Sequence, residues 1–237
     1  MGWDGRWGIL GAMNAEEVLD RLRSMANPEN VAGMARFGIN PKGTLGISVA
    51  SLREVAREIK KAMPSKPERH ALAADLWASG VHEARKLAAL VDVAELVTPE
   101  QMDAWVMDVD SWDVGDGLCM DLFDDTPYAF EKAMEWAHRE EEFVRRAAFA
   151  LMAALAFRAK PFPDEAYEPF FALIKQYATD ERNFVRKAVN WALRGIGKRN
   201  ERLLARAIEV AREIDGMDSK SARWIAKDAL RELLPRR

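Results

Sequence analysis

The sequence predicts an all-α protein, and three observations support that fold class. Apolar residues recur at helical spacing along almost the whole chain, which is the pattern of amphipathic helices. Runs rich in Val, Ile and Thr that end in turn residues are nearly absent, so strands are not expected. The segments 143–155 and 184–196 repeat one pattern, which indicates a stack of similar helical units.

The helical spacing predicts thirteen helices joined by short connections. Three helix starts carry capping signals, at Asn14, at Thr98 and at Thr126, and the last two are each followed by a proline. The Gly- and Pro-containing stretch 38–48 predicts a loop. The predicted helices are 15–26, 28–37, 49–63, 68–79, 82–91, 99–109, 112–124, 126–138, 140–158, 163–178, 183–198, 200–214 and 219–234.

A repeat with a period near 40 residues is the most informative pattern in the chain. FVRRAAFALMAAL at 143–155 superposes on FVRKAVNWALRGI at 184–196 with an offset of 41 residues, and a weaker copy, ARWIAKDALREL, follows at 222–233. A helix pair repeated with this period is typical of HEAT-like or armadillo-like stacking, in which equivalent helices line one concave face. We therefore expect a single domain over 1–237, in which the N-terminal helices and loop of 1–45 are less well defined.

Charge is distributed unevenly along the chain. The 237 residues include 35 Lys and Arg and 38 Asp and Glu, and the resulting net charge of −3 excludes a uniformly basic nucleic-acid coat protein. Residues 92–142 hold 16 acidic and 2 basic residues, whereas 182–206 hold 8 basic residues and 1 acidic one. A phosphate backbone or an acidic protein would be attracted to the basic segments. The basic pairs at 145–146 and 186–187 occupy one repeat position and predict a basic stripe.

Several classes of protein and site are excluded by patterns that the sequence lacks. No apolar stretch is long enough to predict a membrane span, and the N-terminus has neither a secretory signal nor a myristoylation motif. The single cysteine, Cys119, is expected in the core of a cytoplasmic protein. The histidines have no metal-ligand spacing, and GIGKR at 195–199 lacks the spacing of a phosphate-binding loop, so neither a metal nor another cofactor is predicted.

Two of the eight tryptophans occupy positions that are unusual for core residues. Trp112 begins a helix among several aspartates, and Trp191 lies on the basic repeat helix where the preceding repeat has Ala150. A large ring beside cations at a position that holds a small residue in the other repeat indicates a functional surface. Trp3 and Trp7 belong to an N-terminal arm, and core positions are expected for Trp77, Trp105, Trp136 and Trp224.

An acidic residue shares the predicted helix face of Trp112. Asp116 follows Trp112 by four residues, so the ring and the carboxylate project from the same side of the helix. Asp113 lies in the first turn, where a carboxylate stabilises the helix dipole. Spacing alone leaves open which carboxylate is functional, with Asp116 as the first candidate and Asp113 as the second.

Five segments of the chain are informative in combination: SGVHEARKLAALV (79–91), DVDSWDVGDGLC (108–119), EEEFVRRAAFALMAAL (140–155), ERNFVRKAVNWALRGIGKRN (181–200) and SARWIAKDALREL (221–233). Together they resemble the AlkD-like family of DNA alkylation repair proteins, the HEAT-like-repeat DNA glycosylases. The resemblance implies a right-handed α-solenoid of HEAT-like repeats with a concave basic groove. It also implies a monomer that acts on duplex DNA containing alkylated purines without a metal or cofactor.

The resemblance implies roles for individual residues. The catalytic aspartate of the family matches Asp116, and its groove arginine matches Arg146. Its two groove tryptophans match Trp112 and Trp191, although some members have two adjacent tryptophans where this chain has Ser111 and Trp112. The cations expected to bind DNA phosphates are Arg145, Lys187, Arg194, Lys198 and Arg199.

The implied reaction is hydrolysis of the N-glycosidic bond of N3- or N7-alkylated purines. Alkylation makes the purine cationic, so the base is already a good leaving group and positive charge develops on the deoxyribose. A carboxylate such as Asp116 can stabilise that charge and orient a water molecule. Two alternatives remain at this point: a non-catalytic HEAT-like module that binds branched or distorted DNA, and a protein-interaction scaffold.

Overall fold

The computed structural model describes residues 14–157 and 162–234, and these residues form α-helices, two short 3-10 helices and connections, with no strand among them. The all-α prediction is therefore confirmed. No helix within the described residues is both long and apolar enough to cross a membrane. Trp3 and Trp7 lie outside the described residues.

The chain divides into two compact units, the first ending at Leu96 and the second beginning at Val97. The expectation of a single domain stays a prediction. The first unit contains α1 (Ala15–Ser24), α2 (Pro28–Ala35), α3 (Val49–Ala62), α4 (Lys66–Ala78) and α5 (His82–Val91). The second contains α6 (Pro99–Met107), α7 (Trp112–Asp121), α8 (Ala129–Ala137), α9 (Glu142–Phe157), α10 (Glu168–Tyr177), α11 (Asn183–Gly197), α12 (Glu201–Asp215) and α13 (Lys220–Leu233), with 3-10 helices at Phe123–Asp125 and Asp164–Tyr167.

Two of the three predicted caps are confirmed, and the third is wrong. Asn14 forms a reciprocal capping box with Glu17, and the Thr98 hydroxyl accepts the N–H of the residue three positions later. The Thr126 hydroxyl instead donates to the carbonyl of Phe123 at 2.8 Å and closes the preceding 3-10 turn. Helix α8 begins three residues later than predicted, at Ala129, and has no side-chain cap.

The loop predicted at 38–48 is confirmed, and a buried glutamate organises it. Glu83, at the start of α5, has no exposed surface, and its carboxylate accepts the backbone N–H groups of residues 45–47 at 2.7, 2.7 and 3.2 Å. Gly46 adopts φ +82°, and a Cβ there would lie 2.1 Å from the carbonyl oxygen of Asn27. Glycine is required at this position because both the backbone conformation and the close approach exclude a side chain.

The repeat seen in the sequence corresponds to a packing period in the second unit. Phe143 of α9 and Phe184 of α11 stack with ring centroids 5.6 Å apart, 41 residues apart along the chain. Side chains also bond to carbonyls of the neighbouring repeat: Arg182 donates to Glu140 at 2.6 Å, and Arg199 donates to Ala156 at 2.8 Å. Each helical repeat of the second unit therefore packs against the equivalent part of the next repeat, as HEAT-like stacking requires.

Helix α9 is the best-buried helix of this unit because it packs between α7 and α11. Every residue from Arg146 to Ala156 is buried, although Arg146 is charged. A buried guanidinium needs compensating partners. The partners of Arg146 define the candidate site.

Candidate functional site

Asp116 of α7 and Arg146 of α9 form a two-pronged ion pair. Arg146 Nε donates to Asp116 Oδ1 at 3.0 Å, and Arg146 Nη2 donates to Asp116 Oδ2 at 2.7 Å. The geometry is the parallel fork in which arginine binds carboxylate most strongly. The Asp116 side chain is 18% exposed and that of Arg146 is 8% exposed. The carboxylate is therefore the more accessible end of the pair.

Arg146 is also held by two further contacts. Its Nη1 donates to the carbonyl of Phe184 in α11 at 2.7 Å, and its guanidinium carbon lies 5.5 Å from the centroid of the Trp112 ring. Three of its five N–H groups are thus engaged by protein acceptors. This burial favours a role in orienting Asp116, and leaves only the remaining N–H groups for a phosphate.

Trp112 and Asp116 share one side of α7, as the four-residue spacing predicts. Arg146 contacts both, so the ring, the carboxylate and the guanidinium form one cluster. We call these three residues the acid cluster. Asp113 lies in the first turn of α7, where its carboxylate stabilises the helix N-terminus, and Arg146 bonds to Asp116 instead. The geometry therefore favours Asp116 over Asp113 as the candidate acid.

Cys119 lies on α7, three residues after Asp116. Its thiol is fully buried and donates to the carbonyl of Ala147 at 3.3 Å. Burial raises the pKa of Cys119 well above its usual value, and the negative charges of Asp116 and Asp124 add to this shift, while Arg146 opposes it. The sequence expectation of a core cysteine is confirmed.

Because the thiolate is the reactive form and burial disfavours it, we expect Cys119 in the folded protein to resist a thiol reagent such as DTNB at pH 8. The unfolded protein in guanidinium chloride serves as the control and should release one equivalent of thionitrobenzoate. Stoichiometric reaction of the folded protein within minutes would contradict the prediction, since it would require an exposed thiol of low pKa.

Four predicted site residues share one side of α11. Lys187, Trp191, Arg194 and Lys198 follow one another at spacings of four, three and four residues, which aligns them along a helix. Trp191 is half-buried, and Lys187 is exposed and forms no ion pair within the described part of the chain. The structure thus brings Trp191 and Lys187 to the same helix face.

Acidic residues of α13 neutralise two of these predicted cations. Both Arg194 and Lys198 form ion pairs with Glu232, and Arg194 Nε also lies 3.8 Å from Asp228. Phosphate binding by this pair of cations would compete with the carboxylates. The predicted role of Arg194 and Lys198 in DNA binding stays a prediction.

The remaining predicted cations, Arg145 and Arg199, contact other parts of the protein. Arg145 donates to Asp180 at 2.9 Å and lies over the Tyr177 ring at 4.5 Å, and Arg199 is the residue bonded to the carbonyl of Ala156. Burial acts to raise the pKa of Asp180, but hydrogen bonds from Arg182 and Arg145 hold that pKa below its usual value. These contacts stabilise the stacking of repeats.

Trp224 is the functional candidate that the sequence analysis missed. Trp77, Trp105 and Trp136 are buried as predicted, but Trp224 of α13 is 36% exposed, so its predicted core position is wrong. The Arg186 guanidinium carbon lies 5.0 Å from the centroid of the Trp224 ring. Two signals were available. The neighbours at three and four residues are Lys220, Ser221, Lys227 and Asp228, none of them apolar. The repeat alignment also matches Trp224 with Lys187 and Arg146.

Within residues 14–157 and 162–234, no group of three or more His, Cys, Asp or Glu side chains could hold a metal ion. The acid cluster offers a partly exposed carboxylate, with 18% of the Asp116 side chain accessible, on the same helix side as the Trp112 indole. These groups suit the stabilisation of a developing positive charge.

Comparison with known proteins finds a matching family model and matching solved structures. The family model described as DNA alkylation repair enzyme matches residues 18–233. A solved structure, described as a new family of proteins related to the HEAT-like repeat DNA glycosylases with affinity for branched DNA structures, is 17% identical in sequence with a TM-score of 0.75. The alignment covers 93% of this chain and 96% of that chain, and it confirms the HEAT-like fold. No curated protein matches the chain.

Proposed function

Because the chain belongs to the DNA alkylation repair enzyme family, we propose that it is a monofunctional DNA glycosylase acting on N3- or N7-alkylated purines in duplex DNA. The observation that carries the proposal is the acid cluster, in which Asp116 is the more accessible end of a fixed ion pair that also contacts Trp112. A fixed carboxylate needs no reorganisation when charge develops in front of it.

In the proposed reaction, the bond between C1′ and the purine nitrogen breaks, and its electron pair leaves with the cationic base, which becomes neutral. The deoxyribose gains positive charge, which the Asp116 carboxylate stabilises while the indole of Trp112 adds attraction through its ring face. A water molecule oriented by Asp116 then bonds to C1′ and gives a proton to the Asp116 carboxylate, which releases it to solvent. Since no amine attacks the sugar, strand cleavage does not follow.

The charge on Arg146 weakens this stabilisation without cancelling it. A sugar cation about 4 Å in front of the carboxylate would gain about 4 kcal/mol at an effective dielectric constant of about 20, and a guanidinium about 8 Å away would cost about 2 kcal/mol. The remaining attraction of about 2 kcal/mol accelerates the reaction about 30-fold. Orientation and the ring face add to that value.

A second candidate function is binding of branched or distorted DNA without catalysis. Two observations favour it: the related solved structure is described as having affinity for branched DNA, and Arg146 already compensates the charge of Asp116. Such a module would use the cations of the second unit for phosphates and would release no base.

The test is single-turnover release of 7-methylguanine and 3-methyladenine from duplex DNA by excess protein, compared with spontaneous release in buffer. Release well above the spontaneous rate, without strand cleavage, would support the glycosylase. Binding of a three-way junction more tightly than duplex, with no release of either base, would support the second candidate and overturn the first. Binding of either DNA should weaken steeply as salt rises.

A further inference from the structure

The cations of α11 and α13 fall into two groups. At the C-terminal end of α11, Arg194 and Lys198 are paired with acids. Four exposed or partly exposed cations, near the start of α11 and at the start and middle of α13, form no ion pair within the described residues. Among the residues that the structure describes, the one side-chain hydrogen bond of these cations runs from Arg186 Nη2 to Asn183 Oδ1 at 3.2 Å. The unpaired cations are Arg186, Lys187, Lys220 and Lys227.

Trp224 lies among these unpaired cations. Arg186 covers its ring from α11, while Lys220 precedes it by four residues and Lys227 follows it by three on α13, so both flank it on the same helix side. An indole that is 36% exposed keeps part of its surface open to a ligand. We call Trp224 and the four cations the tryptophan patch.

A purely structural role explains only part of this arrangement. Contact between Arg186 and Trp224 joins α11 to α13, but it does not account for three additional cations without acidic partners. Unpaired like charges repel one another, and an anionic ligand removes that repulsion. An aromatic face beside a row of cations is the combination with which proteins bind a nucleic-acid strand, because the cations bind phosphates and the ring stacks on a base or sugar.

We propose that the tryptophan patch binds a strand of the DNA substrate, with its phosphates on Arg186, Lys187, Lys220 and Lys227 and a base or sugar ring against Trp224. This rests on the proposed function in requiring that the protein binds DNA. It assigns the phosphate contacts of this region to these four cations and not to Arg194 and Lys198.

The repeat register sets the distance of the patch from the acid cluster. Arg146, Lys187 and Trp224 occupy one repeat position on α9, α11 and α13. Packed helices lie about 8–10 Å apart, so two steps correspond to about 20 Å between Arg146 and Trp224. A strand advances about 3.4 Å per nucleotide, and the contact therefore falls roughly six nucleotides from the reacting one.

The experiment measures the affinity of fluorescein-labelled duplex DNA by anisotropy over a salt series. Arg186→Gln should lower the slope of log affinity against log salt by about 0.9, because one phosphate contact is lost. Arg212→Gln is the matched control, since Arg212 is an exposed cation of α12 without an ion pair among the described residues. It should leave the slope unchanged.

Trp224→Ala should weaken binding roughly 5- to 100-fold with the slope unchanged, as expected for the loss of one stacked ring. Trp224→Phe keeps a ring and should bind within about threefold of wild type. Circular dichroism shows whether each variant is folded. If Trp224→Ala does not fold, the inference is tested by the salt slope of Arg186→Gln and by the affinity of Trp224→Phe.

The outcomes separate this inference from the proposed function. If wild type releases alkylated bases but both Trp224→Ala and Arg186→Gln bind DNA like Arg212→Gln, the tryptophan patch is overturned alone. If wild type neither binds DNA nor releases bases, both proposals fall. A different result would identify an acidic protein as the ligand instead of DNA: wild type binds polyglutamate, Arg186→Gln abolishes that binding, and the same variant binds DNA as tightly as wild type.

Discussion

Asp116→Asn is expected to lower the single-turnover rate of alkylpurine release about 100- to 1,000-fold, which corresponds to about 3–4 kcal/mol of transition-state stabilisation. The substitution removes the attraction of the carboxylate for the sugar cation and leaves the repulsion of Arg146 in place. Affinity for intact duplex should change less than about threefold, because this attraction grows only as charge develops in the transition state.

Asp113→Asn is the control for this experiment. It makes the same substitution three residues earlier on α7, at a carboxylate in the first turn, and should leave the rate within about threefold of wild type. Loss of activity in Asp113→Asn instead of Asp116→Asn would transfer the catalytic role to Asp113. Thermal unfolding of both variants is needed, because Asp116→Asn also weakens a two-pronged ion pair.

Arg146→Met is expected to lower the free energy of unfolding by about 3 kcal/mol, the lower end of the cost of breaking a buried ion pair. It removes the hydrogen bonds that Arg146 donates to the Asp116 carboxylate and to the Phe184 carbonyl. The cost lies at the lower end because the carboxylate keeps 18% of its surface in contact with water. Chemical denaturation of Arg146→Met, Asp116→Asn and the double variant measures the loss in the free energy of unfolding.

The same variant distinguishes two roles for Arg146. If the residue acts by orienting Asp116, the loss of orientation outweighs the relief of repulsion, and Arg146→Met should reduce base release when Asp116 is present. In Asp116→Asn there is no carboxylate to orient, so Arg146→Met should cause no further loss and should relieve the repulsion of the sugar cation. The salt dependence of DNA binding should be unchanged in both backgrounds. A phosphate contact would instead reduce the salt slope by about 0.9 in both backgrounds. That result would contradict the positioning role that its burial supports.

The helices could be predicted from the sequence because the information that defines them is local. Asn14 and Thr98 cap helices through bonds to residues three positions away, and apolar spacing identifies the buried side of each helix. Thr126 shows the limit of local signals. Its capping motif is intact, but its hydroxyl bonds backwards to Phe123, which depends on the path of the preceding turn.

From spacing alone the site could be predicted only where its residues lie on one helix, and the expectation that Arg146 and Trp191 lie with Asp116 comes only from the family resemblance. The four-residue spacing of Trp112 and Asp116 indicates a shared side, whereas the partner of Asp116 lies 30 residues further along the chain. Glu232 neutralises Arg194 from a distance of 38 residues in sequence. Counting charges within a segment misses such pairs, because stacked repeats bring together residues about one period apart.

Asp180 shows how the second unit is connected. Its carboxylate accepts from Arg145 of α9, and its carbonyl accepts from Ser221 of α13 at 2.7 Å, so one residue joins the preceding repeat to the following one. A chain whose long-range contacts span only one period can nucleate at any adjacent pair of repeats and add the others in sequence. Partly folded forms of this unit would then be shorter stacks of natively packed repeats. The apolar face of their last folded repeat would lack its neighbour and would be the surface open to aggregation and proteolysis.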